Sequence, residues 1–166
     1  MCDLSGVLLI ITMNPLKSLK CYSGCPSGFF RHNTSCYVVP RVMVTWGQAV
    51  VYCRALDCEL LIIETQDEQD FLQKEMLKHH GKLYISATDL VVEGEWRWAN
   101  TMSPVLVTFW KPGQPDDIHT AVDGDCVTFS PTGWDDNHCE SVQNFVCERF
   151  LDLRQRPFLE INVFLG

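Results

Sequence analysis

Asp89, Glu93, Asp116, Asp117, Asp123, Asp125, Asp135 and Asp136 crowd one stretch of a 166-residue chain in which Arg97 and Lys111 are nearly the only basic residues. Carboxylates gathered from separate loops repel one another and resist ionising together unless water or a cation lies between them. Calcium suits such a set, because it takes about six to eight oxygens from carboxylates, amides and backbone carbonyls in flexible loops. The spacing is not that of an EF-hand: no twelve-residue run carries the ligand pattern with its central glycine. The plain alternative is a solvated acidic face.

The rest of the composition agrees with a cation-binding, extracellular domain. Asp+Glu 21 against Lys+Arg 13 gives a net charge of -8, which repels a nucleic-acid backbone, and no basic stripe offers one a footing. With 46% hydrophobic and 20% charged residues, the chain is an ordinary globule of one-domain length. Nine cysteines, at 2, 21, 25, 36, 53, 58, 126, 139 and 147, are too dispersed for a zinc ribbon and point to long-range disulfides in an oxidising compartment. The count is odd, so one thiol stays free, pairs with another chain, or leaves with a leader. Residues 1–20 are read as an atypical signal peptide or an N-terminal arm. Val7 to Ile11 is far short of the ~18 residues a membrane span needs, and Asp3 stands where a leader carries positive charge.

The elements that must position the acidic loops are partly legible. Residues 25–38 suit a hairpin turning at His32-Asn33-Thr34, and Asn33-Thr34-Ser35 is an N-glycosylation sequon. Thr45 caps a helix in which Trp46, Ala49, Val50, Cys53 and Leu56 recur at helical spacing. Leu60 to Ile63 reads as a strand. Thr65 to Glu68 reads as a capping box opening a second helix that runs to about His80. Beyond Gly81, Gly and Pro cut the chain into short strands: Leu83 to Ile85, Val105 to Trp110, Cys126 to Phe129 and Asn144 to Arg149. Two helices followed by a loop-rich β half make an α+β layout. The apolar tail, residues 151–166, reads as an extension that adds a strand or a contact surface.

Ordered markers from Cys25 to Phe150 resemble the C-type lectin-like domain. They are the Cys-Pro-x-Gly-Phe start, the helix with Trp46 and Cys53, Tyr84-Ile85-Ser86-Ala87-Thr88-Asp89, Gln114-Pro115-Asp116, Gly124-Asp125-Cys126-Val127, and Trp134-Asp135-Asp136 leading to Cys139 and Cys147. The resemblance implies a domain over residues 21–150: two helices packed on small antiparallel sheets, a long calcium-binding loop region, and disulfides Cys25 with Cys36, Cys53 with Cys147 and Cys126 with Cys139. Cys21 and Cys58 are then extras that pair together or bridge subunits.

The same resemblance implies two calcium positions. The one that touches sugar takes Gln114, Asp116, Asp135 and Asp136. The family has a further glutamate where this chain has Gly124, and Asp123 is the replacement. The other, which shapes the loops, takes Asp89, Glu93, Asp117 and Asp125. Sugar hydroxyls replace water on the ion while bonding to its carboxylate and amide ligands. The Gln-Pro-Asp order resembles the galactose or N-acetylgalactosamine type, so the implied partners are glycans ending in those sugars, with Trp134 or His119 as a stacking platform and a core position as the favoured alternative for Trp134. Asp135 replaces the family's Asn and lacks its amide donor. Weak monosaccharide affinity, compensated by several copies in a homo-oligomer, follows. The implied setting is a secreted recognition protein of an innate-immunity kind.

A rival reading keeps the fold but binds a protein, lipid or mineral surface, favoured by Gly124, Asp135 and the apolar tail. Catalysis is disfavoured. Asp116 and Asp136 could stand as a glycosidase pair, yet no apolar pocket is evident to raise either pKa, and no phosphate loop or serine elbow is present.

Overall fold

The computed structural model describes residues 24–78, 81–116 and 124–151. The proposed leader, Cys21, the pair His79-His80, the acidic-loop residues 117–123 and the tail beyond 151 lie outside the described residues. Two small sheets and two helices make up the described part, an α+β arrangement. β1 (Phe30–His32) and β2 (Ser35–Val38) form the expected hairpin, and β2 pairs with β9 (Cys147–Phe150), which pairs with β3 (Glu59–Leu60). The second sheet runs β5 (Arg97–Trp98), β4 (Leu83–Thr88), β6 (Cys126–Ser130), β7 (Gly133–Asn137), with β8 (Asn144–Phe145) alongside β4. The β4–β8 pairing is parallel; the remaining pairs are antiparallel.

Helix α1 (Trp46–Ala55) starts as its sequence dictates: Thr45 Oγ1 accepts from the Gln48 N–H, and Gln48 returns the bond to Thr45 N. Trp46, Ala49 and Cys53 are buried, whereas Leu56 is exposed at the C-cap, one residue past the end of the apolar face. Helix α2 (Gln66–Met76) is capped by Thr65, but the expected box does not close there. Glu68 instead accepts from the Tyr37 hydroxyl (2.6 Å) and the Glu64 N–H, so tertiary contact wins over the local one.

Two strand expectations need correction. Leu61 to Ile63 are buried but unladdered, leaving β3 two residues long. Val105 to Trp110 is no strand. Leu106 is 87% exposed, and only isolated bridges mark its two ends, Arg97 with Pro104 just before it and Trp110 with Trp134 at its last residue. Its apolar run signals a surface loop rather than a sheet.

Disulfides join Cys25 to Cys36, Cys53 to Cys147 and Cys126 to Cys139, the pairs the resemblance implies. Cys58 is a buried free thiol. The core packs Trp98, Phe129, Trp134 and Val127 against Leu61, Ile63 and Leu72, and Trp46 donates its Nε1–H to Ile85 O across it.

Glu148, in β9, is 3% exposed. Burial pushes its carboxyl up to about 7; the Ser35 hydroxyl and the Ile62 N–H lower it, while the charges of Glu68 and Glu64 raise it further. Tyr37 lies beside the same cluster and its phenol is likewise raised by burial and Glu68. Between about pH 4.5 and 7 the folded chain therefore binds more protons than the unfolded one, and stability falls as pH rises through that window, by up to about 3 kcal/mol. Urea unfolding at a series of pH values should show that decline, and Glu148→Gln should flatten it and be more stable at pH 8. A wild-type profile that climbs from pH 4.5 to 7 would contradict this account.

Candidate functional site

β7 carries the centre of the site because alternation sends its residues to opposite faces. Trp134 points into the core, fully buried, with its Nε1–H donated to Gln69 Oε1 (3.1 Å) and its ring edge-on to Phe109, Trp110 and Trp98. A ring with no exposed face cannot stack on a sugar, so Trp134 is core and the stacking role is withdrawn. His119, the other platform, lies outside the described residues.

Asp136 lies beside the loop that carries Gln114-Pro115-Asp116. Its Oδ2 accepts from the Asp116 N–H at 2.8 Å, and Gln114 N–H in turn bonds to Lys111 O at 3.1 Å. The Gln114–Pro115 peptide is cis. Gln114 Oε1 is buried with no hydrogen-bond partner. A buried amide oxygen in that state forfeits the bonds it had in water unless something else takes its lone pairs. The structure thus ties Asp116 to Asp136 and holds Gln114, two residues earlier in the same loop, with an unsatisfied neutral oxygen; donors of these types suit a hard cation.

Asp135 is placed differently. It faces Lys82, at the start of β4, and Lys111, and each ammonium forms an ion pair with one of its carboxylate oxygens. Burial alone would raise this carboxyl, but Lys111, Lys82 and Asn137 hold it below the usual range. Lys82 was missed as a site residue in the sequence, since it lies outside the acidic stretch. Lys111 is visible there as one of its few basic residues.

The second set is partly assembled. Asp89 is 2% exposed; its Oδ2 accepts from Gly94 N–H (2.9 Å) and its Oδ1 is buried with no hydrogen-bond partner. The Asp89 N–H and the Thr88 hydroxyl both donate to Asp125 O, which ties this loop to the start of β6. Burial raises the Asp89 carboxyl to about 6 against the Gly94 bond, with Glu93 and Asp125 adding repulsion. Such repulsion fits a place for a counter-ion. Among the described residues, no cluster of three or more His, Cys, Asp or Glu closes to metal-ligating range, and Asp117 and Asp123 lie outside them.

A profile of the lectin C-type domain matches residues 42–149, well over half of the chain. The chain belongs to the C-type lectin domain family. Within it, mouse C-type lectin domain family 4 member E is 32% identical over 147 residues, 80% of this chain and 67% of that protein. Human C-type lectin domain family 10 member A is 35% identical over 129 residues, 75% of this chain but 40% of that protein. The chain therefore spans less than half of this second relative. The carbohydrate-recognition domain of the human scavenger receptor C-type lectin superposes with a TM-score of 0.71 at 30% identity, covering 76% of this chain and 99% of that domain. C-type lectin domains are non-catalytic binding modules, and this chain is not an enzyme. No described helix is long and apolar enough to cross a membrane.

Proposed function

We propose that this C-type lectin domain binds carbohydrate through a loop-bound calcium ion, with preference for glycans ending in galactose or N-acetylgalactosamine. The observation that carries the reading is the buried, unpartnered Gln114 Oε1 in a loop whose Asp116 backbone is tied to Asp136. Gln114, Asp116 and Asp136 would hold the ion, with Asp123 joining from outside the described residues; Asp89, Glu93, Asp125 and Asp117 would hold a second that shapes the loops. Calcium supplies a hard centre on which paired sugar hydroxyls replace water. The protein's share is orientation. Asp136 fixes the backbone at Asp116, the Gln114 amide offers donors to a sugar oxygen, and the carboxylates accept from sugar hydroxyls. The Gln-Pro-Asp order supports the galactose type. Secretion accords with three disulfides, and Asn33, exposed at the tip of the β1–β2 hairpin, is an accessible glycan acceptor.

A second reading, binding of a protein or other surface, draws on a different feature. Ile63, Trp98, Pro104, Leu106 and Val107 line a cavity of about 340 Å³ with Glu64 at its edge. Leu90, Val91 and Val92 are exposed as well.

Calorimetric titration with calcium, then with galactose or mannose at saturating calcium and again in EDTA, separates the two readings. We expect galactose heat that vanishes in EDTA and in both Gln114→Ala and Asp136→Asn, and little heat from mannose. Calcium uptake with no sugar heat would overturn carbohydrate binding in favour of the surface reading.

A further inference from the structure

The two lysines on Asp135 are positioned by backbone geometry. Gly133 adopts φ +122, and a Cβ there would meet Phe109 O at 2.8 Å and Lys111 N at 2.9 Å. The missing side chain lets residues 109–111 lie directly on β7, with Trp134 N–H donating to Phe109 O and Lys111 N–H to Trp134 O. Lys111 is thereby set beside Asp135 from one side. From the other, Lys82 enters β4, which is linked to β7 through β6. Asn137 donates its Nδ2–H to Thr128 Oγ1 at 2.8 Å, which turns its Oδ1 toward Lys82 Nζ, 3.4 Å away.

Each oxygen of Asp135 thus has its own ammonium: Oδ1 takes Lys111 and Oδ2 takes Lys82. The carboxylate is almost wholly buried, with its side chain 5% exposed. A carboxylate has about four lone-pair sites, so two ammoniums do not fill it, but they neutralise its charge and leave one positive charge in excess beside it, which repels an approaching divalent ion. We infer that Lys82 and Lys111 act as resident counter-cations, holding Asp135 out of the calcium ligand set and setting the ion affinity of the loop below what its carboxylate count would give. This inference rests on the calcium reading above. It departs from the ligand set that the family resemblance implies in one respect, since Asp135 serves the lysines in place of the ion.

Calcium calorimetry on the intact, disulfide-bonded chain tests it. Lys82→Met with Lys111→Met should bind calcium about tenfold more tightly or better, because the repulsion is removed and Asp135 is released. The paired Arg substitutions, which keep both charges, should stay near the wild type. Wild-type affinity in the Met pair would overturn the inference and leave the calcium reading standing. Absence of calcium heat from every variant, wild type included, would overturn both. Should the Met pair fail to fold, the side-chain carboxyl ¹³C resonances of the wild type decide. At saturating calcium Asp136 should move and Asp135 should not, and an Asp135 shift as large as that of Asp136 would overturn the inference.

Discussion

Replacing Cys53 and Cys147 together by alanine is expected to lower stability by about 4–5 kcal/mol, a fall in Tm of roughly 10–18 °C. The bond joins α1 to β9 across 94 residues, so its loss frees a long loop in the unfolded chain. Both sulfurs lie in the core with no exposure, so the loss of packing adds to the entropic cost. The Cys25–Cys36 bond closes only 11 residues within the hairpin, and the matching double alanine variant should lose about 2–3 kcal/mol. Urea unfolding of the two variants would show the difference; equal losses would mean that loop length does not govern the contribution of these bonds.

Trp134→Ala is the second large effect, about 3–5 kcal/mol. The indole is fully buried, meets Trp98, Phe109 and Trp110 edge-on at centroid distances of 5.4–6.0 Å, and donates to Gln69. Its removal opens a cavity between α2 and β7 and orphans the Gln69 oxygen. Trp134→Phe keeps part of the volume and loses the hydrogen bond, for an expected cost of about 1–2 kcal/mol. Because Asp135 and Asp136 follow directly on β7, the alanine variant should also loosen the Asp116 N–H contact with Asp136, measurable as faster amide exchange at Asp116. A stability loss under about 1 kcal/mol would place the indole outside the core.

What could be read from the residues followed the strength of local patterning. The Thr45 cap, the helical spacing of Trp46, Ala49 and Cys53, and the turn at Asn33 are local signals, and each reappears in the fold. Val105 to Trp110 has the apolar run of a strand, but its backbone meets only isolated bridges. Glu68 left its capping box because Tyr37, 31 residues earlier, offers a short bond that no window of sequence contains. The disulfide pairing came from family likeness, since spacing alone allows many connectivities. At the site, Gln114, Asp116 and Asp136 stood out by residue type, and Asp116 and Asp136 do come together. Lys82 did not, because its meeting with Asp135, 53 residues away, depends on the sheet order that links β4 to β7 through β6.

The disulfides also reroute mechanical tension. If the described segment is pulled at its two ends, the covalent path runs from Cys25 across sulfur to Cys36, along the chain to Cys53, and across sulfur again to Cys147. Residues 54–146 hang from this path as a closed loop that carries no load. Every residue assigned to the binding loops lies inside it. A tug that peels β2 from β9 and unwinds α1 would leave the covalent chain of β4, β6 and β7 unstretched.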